Sequence, residues 1–369
     1  MAKVFNVYIG RFQPAHSAHL QIMEGALASS KYDPEPNLII CVGSAYSPRT
    51  PKNPFSLEER EQMIRSAFSA EENKRIHVVG VPDSLYNDTQ WAQEVQNAVS
   101  RVVDSDSDDN IVRLVGHKKD ESSFYLDMFP QWEFVGISNI DNLNSTTIRD
   151  YYLNDKWLDE DEDVDVFVEM CQDHLHPNIF AWLLKFRAEE RALPEDDEES
   201  KPTPFEYLTE EFSFIEAYKE QWAHSPYPPT FVTSDAVVIQ SGHILLVRRG
   251  AAPGKGLWAL PGGFVEQDLT ALDNTFKELR EETKLKVPLP VLKGSVKDKE
   301  TFDHPQRSLR GRTITHAFLI ELNPGPLPKV KGGDDADKAR WVPINTALNM
   351  EDRLFEDHAS IIKYFVGRA

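Results

Sequence analysis

The sequence predicts two α/β domains in series, and three features predict them. The first half alternates apolar, β-favouring runs with helical periods, and three of those runs end on glycine, at Gly10, Gly43 and Gly116. The second half opens on a hairpin and then carries a glycine loop, Leu260-Pro261-Gly262-Gly263-Phe264-Val265-Glu266, ahead of a glutamate-rich helix. Between the halves lie two acidic runs, residues 159–166 and 194–204, the second too polar to order itself on its own apolar area. At 369 residues the chain also exceeds the usual single core. The expected organisation is a first domain over residues 1–190, an acidic linker and connecting helix over 191–228, and a second domain over 229–369.

Residues 4–9 read as a buried strand that runs into a turn at Gly10 and Pro14. Leu20, Met23 and Leu27 then recur at helical spacing, so His16 and His19 share one face of the first turn. Unpaired backbone N–H groups and the helix dipole favour an anion there, and Gly10 lets a phosphate approach the main chain. A histidine pair also suits a metal or plain surface, but no Cys, Asp or third His lies nearby to complete a tetrahedral zinc site.

Residues 37–43 read as a second strand, apolar on both faces as in a parallel sheet covered by helices. Ser56-Leu57-Glu58-Glu59 is a capping box for a helix carrying Met63, Ile64 and Phe68. Residues 76–81 form a third strand, a helix with Trp91, Val95, Val99 and Val102 follows, and residues 111–115 form a fourth strand. Ligands of such open sheets sit at the carboxyl ends of the strands. Gly116-His117-Lys118-Lys119-Asp120 adds a basic loop at one of those ends. Asn144-Ser145-Thr146-Thr147-Ile148-Arg149 starts a further helix with cap-forming side chains, and its hydroxyls and guanidinium suit a triphosphate; an ordinary N-cap with a surface arginine is the bland alternative.

In the second half, residues 212–222 read as an amphipathic helix, and residues 230–240 and 244–248 as strands joined at Ser241-Gly242. Glu278, Glu281 and Glu282 fall on one helical face, where like charges repel unless a cation lies between them. Hard oxygen donors suit Mg²⁺ or Mn²⁺. Acidic helix faces are common, and Lys277 and Arg280 are at hand to neutralise this one; the preceding Pro-Gly-Gly loop favours the metal.

Composition narrows the rest. Hydrophobic residues make up 40%, as in a soluble globular protein, and a formal charge of −20 repels nucleic acid and anionic membranes. Cys41 and Cys171 are too few and too far apart for a disulfide framework. No basic segment precedes an apolar core at the N-terminus, and no apolar run approaches the ~20 residues of a membrane span, so a cytoplasmic protein is expected. Homo-oligomerisation is left open.

The run Gly10-Arg11-Phe12-Gln13-Pro14-Ala15-His16-Ser17-Ala18-His19 resembles the signature of the nucleotidylyltransferase superfamily. Lys52-Asn53-Pro54-Phe55-Ser56-Leu57-Glu58-Glu59-Arg60, Leu85-Tyr86-Asn87-Asp88 with Trp91, and residues 116–130 narrow it to the nicotinamide-mononucleotide adenylyltransferase branch. That resemblance implies a Rossmann-like domain with His16, His19 and Arg149 as catalytic residues. It places ATP and nicotinamide mononucleotide on Gly10, Arg11, Phe12, Gln13, Gly116, Lys118, Asp120 and Thr146, with the nicotinamide ring near Trp91. Leu143-Asn144 stand where that branch usually has Ile-Ser.

The second half resembles the Nudix box, G-x5-E-x7-R-E-U-x-E-E-x-G-U, aligned from Gly263. Leu269, Lys277 and Lys284 stand for the first Glu, the Arg and the last Gly, while Glu278, Glu281 and Glu282 are retained. The resemblance implies an α/β/α Nudix domain whose three glutamates act catalytically through a metal, and ADP-ribose bound by Gly263, Phe302, Arg307 and Arg312. A box glutamate, Asp334 or Asp335 would act as general base. Both halves in this order resemble the bifunctional nicotinamide-mononucleotide adenylyltransferase/Nudix ADP-ribose pyrophosphatases. The alternative is an adenylyltransferase whose Nudix domain, given Leu269 and Lys277, binds nucleotide as a regulatory module. Nicotinate mononucleotide is a rival acceptor for the first reaction.

Overall fold

The structure, a computed structural model, describes residues 3–28, 35–103, 110–117, 121–137, 144–154, 166–188, 202–333 and 336–367. Lys118, Lys119, Asp120, Leu143, Asp334, Asp335 and most of both acidic runs lie outside these residues. The chain forms two compact units, residues 1–210 and 211–369.

In the first unit, β1 (Val4–Gly10), α1 (Ser17–Leu27), β2 (Asn37–Val42), α2 (Leu57–Ser66), α3 (Ala70–Asn73), β3 (Ile76–Gly80), α4 (Asp88–Ser100), β4 (Ile111–Gly116), a 3₁₀ segment, β5 (Glu133–Gly136) and α5 (Ser145–Leu153) follow in order. The sheet runs β3-β2-β1-β4-β5, and every described pair is parallel. Strand order reverses beside β1, so the ends of β1 and β4 flank the crevice where such sheets take ligands. β2 is an inner strand, as predicted, because Leu38, Ile39, Ile40, Cys41 and Val42 are wholly buried, with no polar face to turn outward, whereas the predicted strand at 76–81 is the edge strand β3. β5 escapes the sequence pattern: its four residues are all exposed, leaving no apolar alternation to read. Ser56 caps α2 in the predicted box, accepting from the Glu59 N–H while Glu59 accepts from the Ser56 N–H.

Two further helices, α6 (Val166–Cys171) and α7 (Pro177–Arg187), precede α8 (Pro204–Glu220), within which the boundary between the units falls. α8 begins earlier than its apolar period indicates because Thr203 and Glu206 form a capping box and Pro204 takes the first helical position.

The second unit contains β6 (Thr230–Gln240), β7 (His243–Arg249), β8 (Trp258–Ala259), β9 (Gly262–Phe264), α9 (Ala271–Thr283), α10 (Leu289–Gly294), β10 (Val296–Phe302), β11 (Arg312–Glu321), β12 (Ala336–Pro343), α11 (Ile344–Leu348) and α12 (His358–Val366). Its sheet runs β10-β11-β6-β7-β12, with β8 on β7 and β9 on β6; β11 and β6 are parallel and the remaining pairs antiparallel. Along β6, Ala236 and Val238 pack with Phe276 and Leu279 of α9, whereas Val237 and Ile239 pack with Ile361, Ile362 and Phe365 of α12. The alternation of strand side chains thus makes an α/β/α sandwich, each buried aromatic or aliphatic side chain contributing about 1.5–3 kcal/mol. Burying Phe276 and Leu279 also fixes the rotation of α9.

Candidate functional sites

The first site grows from the turn after β1. A Cβ on Gly10 would lie 2.7 Å from the Phe12 ring, so any larger residue would have to displace that buried ring. The turn is tied down by buried polar groups. The Gln13 amide bonds both backbone groups of Phe55, at 3.0 Å each. Arg60, fully buried, donates to the carbonyls of Arg11 (2.9 Å), Gly43 (2.7 Å) and Ser44 (3.2 Å), stitching the ends of β1 and β2 together. Arg149 donates to the Gln13 carbonyl (2.7 Å) and to the Thr146 hydroxyl (3.1 Å).

A cavity of about 330 Å³ lies against this turn. Gly10, Arg11, Phe12, Gln13, His16, His19, Thr146 and Arg149 all line it. His16 is the N-cap residue of α1 rather than part of its first turn, and its ring stands 3.9 Å from that of His19. The His16 backbone N–H donates to His19 Nδ1 at 3.4 Å, which leaves the proton on Nε2. Burial, with His16 alongside, holds His19 well below its ordinary value, so the ring is neutral at pH 7. Burial and the neighbouring Arg11 pull Lys52 down to about 8 and Arg149 to about 10. Burial is the main cause in both; Arg11 and Arg149 line the cavity while Lys52, which does not line it, is held down further by these two cations, and an anion in the cavity would favour all three charges.

Two predicted residues sit elsewhere. Trp91 does not line the cavity; it packs on Tyr125 and Phe129, each with ring centroids 6.0 Å away, because its face of α4 closes the core. Gly116 ends β4, and the next residue, His117, reaches the cavity. Tyr125, which the sequence reading left unassigned within the segment 116–130, lines it with Tyr8. Lys118 and Asp120 fall outside the described residues.

The second site surrounds the turn between β8 and β9. A Cβ on Gly262 would meet the Ser234 carbonyl at 2.3 Å and Asp235 Oδ1 at 2.5 Å; one on Gly263 would meet the Glu278 carboxyl at 2.9 Å. The two glycines therefore admit strand and helix carboxylates to one place. The Gly262 N–H donates to Glu282 Oε2 at 3.0 Å, and Asn274 ties α9 to the loop through Ser234 Oγ (3.1 Å) and the Glu266 N–H (3.2 Å). Glu278, Glu281, Glu282 and Asp235 line one cavity of about 570 Å³. Burial, then Glu278 and Asp235, push Glu282 up to about 8. Among the described residues no three His, Cys, Asp or Glu side chains already converge as a metal site. Burial is the main reason Glu282 is raised, with Glu278 and Asp235 adding to it; three glutamates and an aspartate lining one cavity are the hard oxygen donors that a divalent cation takes.

The box departures have local causes. Lys277 pairs with Glu266 and lies 3.7 Å from Glu281, which holds its ammonium beside the glutamate face. Lys284 caps α9 with φ +52°, the left-handed conformation that glycine takes more easily.

Of the residues expected to hold ADP-ribose, Gly263 and Arg307 line the cavity, but Arg307 is paired through two hydrogen bonds (2.9 and 2.8 Å) with Asp357. Phe302 lies in the apolar core against Tyr364 and Phe365, because its position on β10 faces α12. Arg312 opens β11 and engages Asp303 instead of the cavity. Arg249 and Arg310 do line it, both against the Phe355 ring (4.1 and 5.8 Å). They are separated from the glutamates by sequence and share no box spacing; Arg310 lies beside Arg307 in a segment the family resemblance covers, whereas nothing in the sequence pattern marked Arg249.

Fold and sites together define a nucleotidylyltransferase unit followed by a Nudix unit. The cytidylyltransferase-like family model matches residues 7–150, and the NUDIX domain model matches residues 230–365. A nicotinamide/nicotinic acid mononucleotide adenylyltransferase of Acinetobacter baylyi is 43% identical over 154 residues, which cover 42% of this chain and 77% of that one. An ADP-ribose pyrophosphatase of Methanocaldococcus jannaschii is 34% identical over 135 residues, covering 37% and 72%. The crystal structure of a bifunctional NMN adenylyltransferase/ADP ribose pyrophosphatase from Francisella tularensis, complexed with AMP and a Mn ion, aligns over 100% of this chain and 99% of that one, with TM-score 0.83 and 32% identity. The chain belongs to the bifunctional NMN adenylyltransferase/ADP-ribose pyrophosphatase family. Nudix hydrolases need a divalent metal, and no described helix is long and apolar enough to cross a membrane.

Proposed function

We propose that the first unit joins ATP and nicotinamide mononucleotide into NAD and pyrophosphate, and that the second hydrolyses ADP-ribose to AMP and ribose 5-phosphate. The observation that carries both is the contrast between the cavities: one set among cations at a glycine turn, the other lined by carboxylates at a Pro-Gly-Gly loop.

In the first reaction a 5′-phosphate oxygen of nicotinamide mononucleotide attacks the α-phosphorus of ATP in line. The α–β bridging bond breaks, and pyrophosphate leaves without a covalent intermediate. Gly10 lets the phosphates reach the backbone, Arg11 and Lys52 supply positive charge, and neutral His19 donates from Nε2 to the oxygens that gain charge. Arg149 acts mainly by clamping the turn, since its fork is engaged with Gln13 and Thr146. Tyr125, backed by Trp91, is the wall the nicotinamide ring meets.

In the second reaction water attacks one phosphorus of the diphosphate, and the P–O–P bond breaks. Glu278, Glu281 and Glu282 would hold Mg²⁺ or Mn²⁺, which supplies charge neutralisation and an acidified water. Arg249 and Arg310 face the diphosphate, and Glu266, by pairing with Lys277, supports the glutamate face despite Leu269. His16→Ala tests the first assignment: NAD synthesis at saturating substrates falls by at least about a hundredfold while ADP-ribose hydrolysis persists. Near-normal NAD synthesis in that variant refutes it.

A further inference from the structure

The Pro-Gly-Gly loop of the second unit is fastened by a histidine that no motif marked. Three successive loop residues are each tied to a different element. The Leu260 N–H donates to His358 Nδ1 at the start of α12 (2.8 Å), the Pro261 carbonyl accepts from the Ala236 N–H of β6 (2.8 Å), and the Gly262 N–H donates to Glu282 Oε2 of α9 (3.0 Å). A backbone N–H can only donate, so His358 Nδ1 is the acceptor and the ring proton sits on Nε2. That nitrogen lies 4.0 Å from Asp235 Oδ1, while Asp235 Oδ2 accepts from the Thr315 hydroxyl. His358, Asp235 and Thr315 are all buried, yet His358 and Asp235 still line the cavity that holds the glutamates. The Phe355 N–H also donates to the Trp258 carbonyl (2.8 Å), so the segment leading into α12 grips the strand ahead of the loop as well.

Only Pro261 separates the bond made by His358 from the bond made by Glu282, and its ring fixes φ between them. A shift of Leu260 is therefore passed to the Gly262 N–H. We infer that His358 is a positioning residue for the hydrolase: its Nδ1 bond to Leu260 sets the loop so that Gly262 holds the Glu282 carboxylate ready for the divalent cation. This rests on the reading of the second unit as a metal-dependent ADP-ribose pyrophosphatase. His358 acts through the loop backbone, as the outer partners of metal ligands do, and not on the substrate. A histidine that merely filled the core would affect stability and leave metal affinity intact.

The test compares the full chain with His358→Asn, His358→Gln and His358→Leu, each shown by circular dichroism to be folded. Mn²⁺ binding is measured by calorimetry without substrate, and ADP-ribose hydrolysis by steady-state kinetics. Asn places its amide oxygen where Nδ1 stands, whereas Gln places its amide where Nε2 stands. His358→Asn keeps Mn²⁺ affinity and kcat within about threefold, and His358→Gln and His358→Leu lower both by about ten- to a hundredfold. If His358→Leu does not fold, the contrast between Asn and Gln decides alone. Unchanged Mn²⁺ affinity in His358→Gln, or equal losses in His358→Asn and His358→Gln, overturns the inference. Intact ADP-ribose with the unmodified chain refutes the hydrolase reading instead, and the Mn²⁺ titration then still decides whether His358 sets Glu282. An unmodified chain that binds no Mn²⁺ overturns both.

Discussion

Replacing Asp357 by Asn tests whether Arg307 is a structural or a ligand-binding cation. The side chains of the pair are 2% and 0% exposed, and two hydrogen bonds of 2.9 and 2.8 Å join them. Burial alone lowers the Arg307 pKa, and the Asp357 carboxylate more than offsets it, raising the value above the ordinary one. At an effective dielectric constant of about 20, two charges about 4 Å apart attract by roughly 4 kcal/mol. Losing the carboxylate while the guanidinium stays buried costs about 3–5 kcal/mol. For a unit of this size each kcal/mol moves Tm by roughly 2–4 °C, so the second unit should melt about 10 °C lower. Calorimetric scans of the two proteins measure this directly. A Tm within about 2 °C of the unmodified protein, together with an altered KM for ADP-ribose, would refute the structural role and return Arg307 to the substrate.

Gly262→Ala forces a methyl group against the Ser234 carbonyl and Asp235, so ADP-ribose hydrolysis should fall by about two orders of magnitude while NAD synthesis is kept; paired assays on one preparation decide it. Lys52, pulled from 10.5 to about 8, regains its charge when an anion binds, so ATP affinity should drop as pH rises through about 8; a Lys52→Met variant with the same pH profile contradicts this. Glu282 is raised from 4.5 to about 8, so the folded form binds more protons than the unfolded one and stability falls as pH rises through that window. Binding of Mn²⁺ at pH 7 should therefore release close to one proton, lost in Glu282→Gln, as calorimetry in two buffers of different ionisation enthalpy measures.

The strands and helices of the first unit were readable because β1, β2 and the second half of β4 are buried and run into Gly10, Gly43 and Gly116, and because Ser56 and Asn144 are conventional caps. β5 was not, since four exposed residues carry no period. Within local runs, spacing marked the glycine turn, the His16–His19 pair and the Glu278–Glu282 face, and the family resemblance supplied Arg11, Phe12, Gln13 and the roles. Phe302 and Arg312 were misplaced for the opposite reason: the resemblance marks the segment around β10 and β11, but strand alternation decides which side chains turn to the core. Tyr125 and Arg310 lie in segments the resemblance covers but were given no role there, and Arg249 and Phe214 meet their cavity only through tertiary packing.

The pairing of two active sites on one chain is tested most directly by chromatography of the products formed from ADP-ribose with Mn²⁺ or Mg²⁺, alongside NAD synthesis from ATP and nicotinamide mononucleotide, for the unmodified chain and Glu282→Gln. The account predicts AMP and ribose 5-phosphate from the unmodified chain alone, and NAD from both. Intact ADP-ribose after incubation with either metal, or equal hydrolysis by Glu282→Gln, would contradict it.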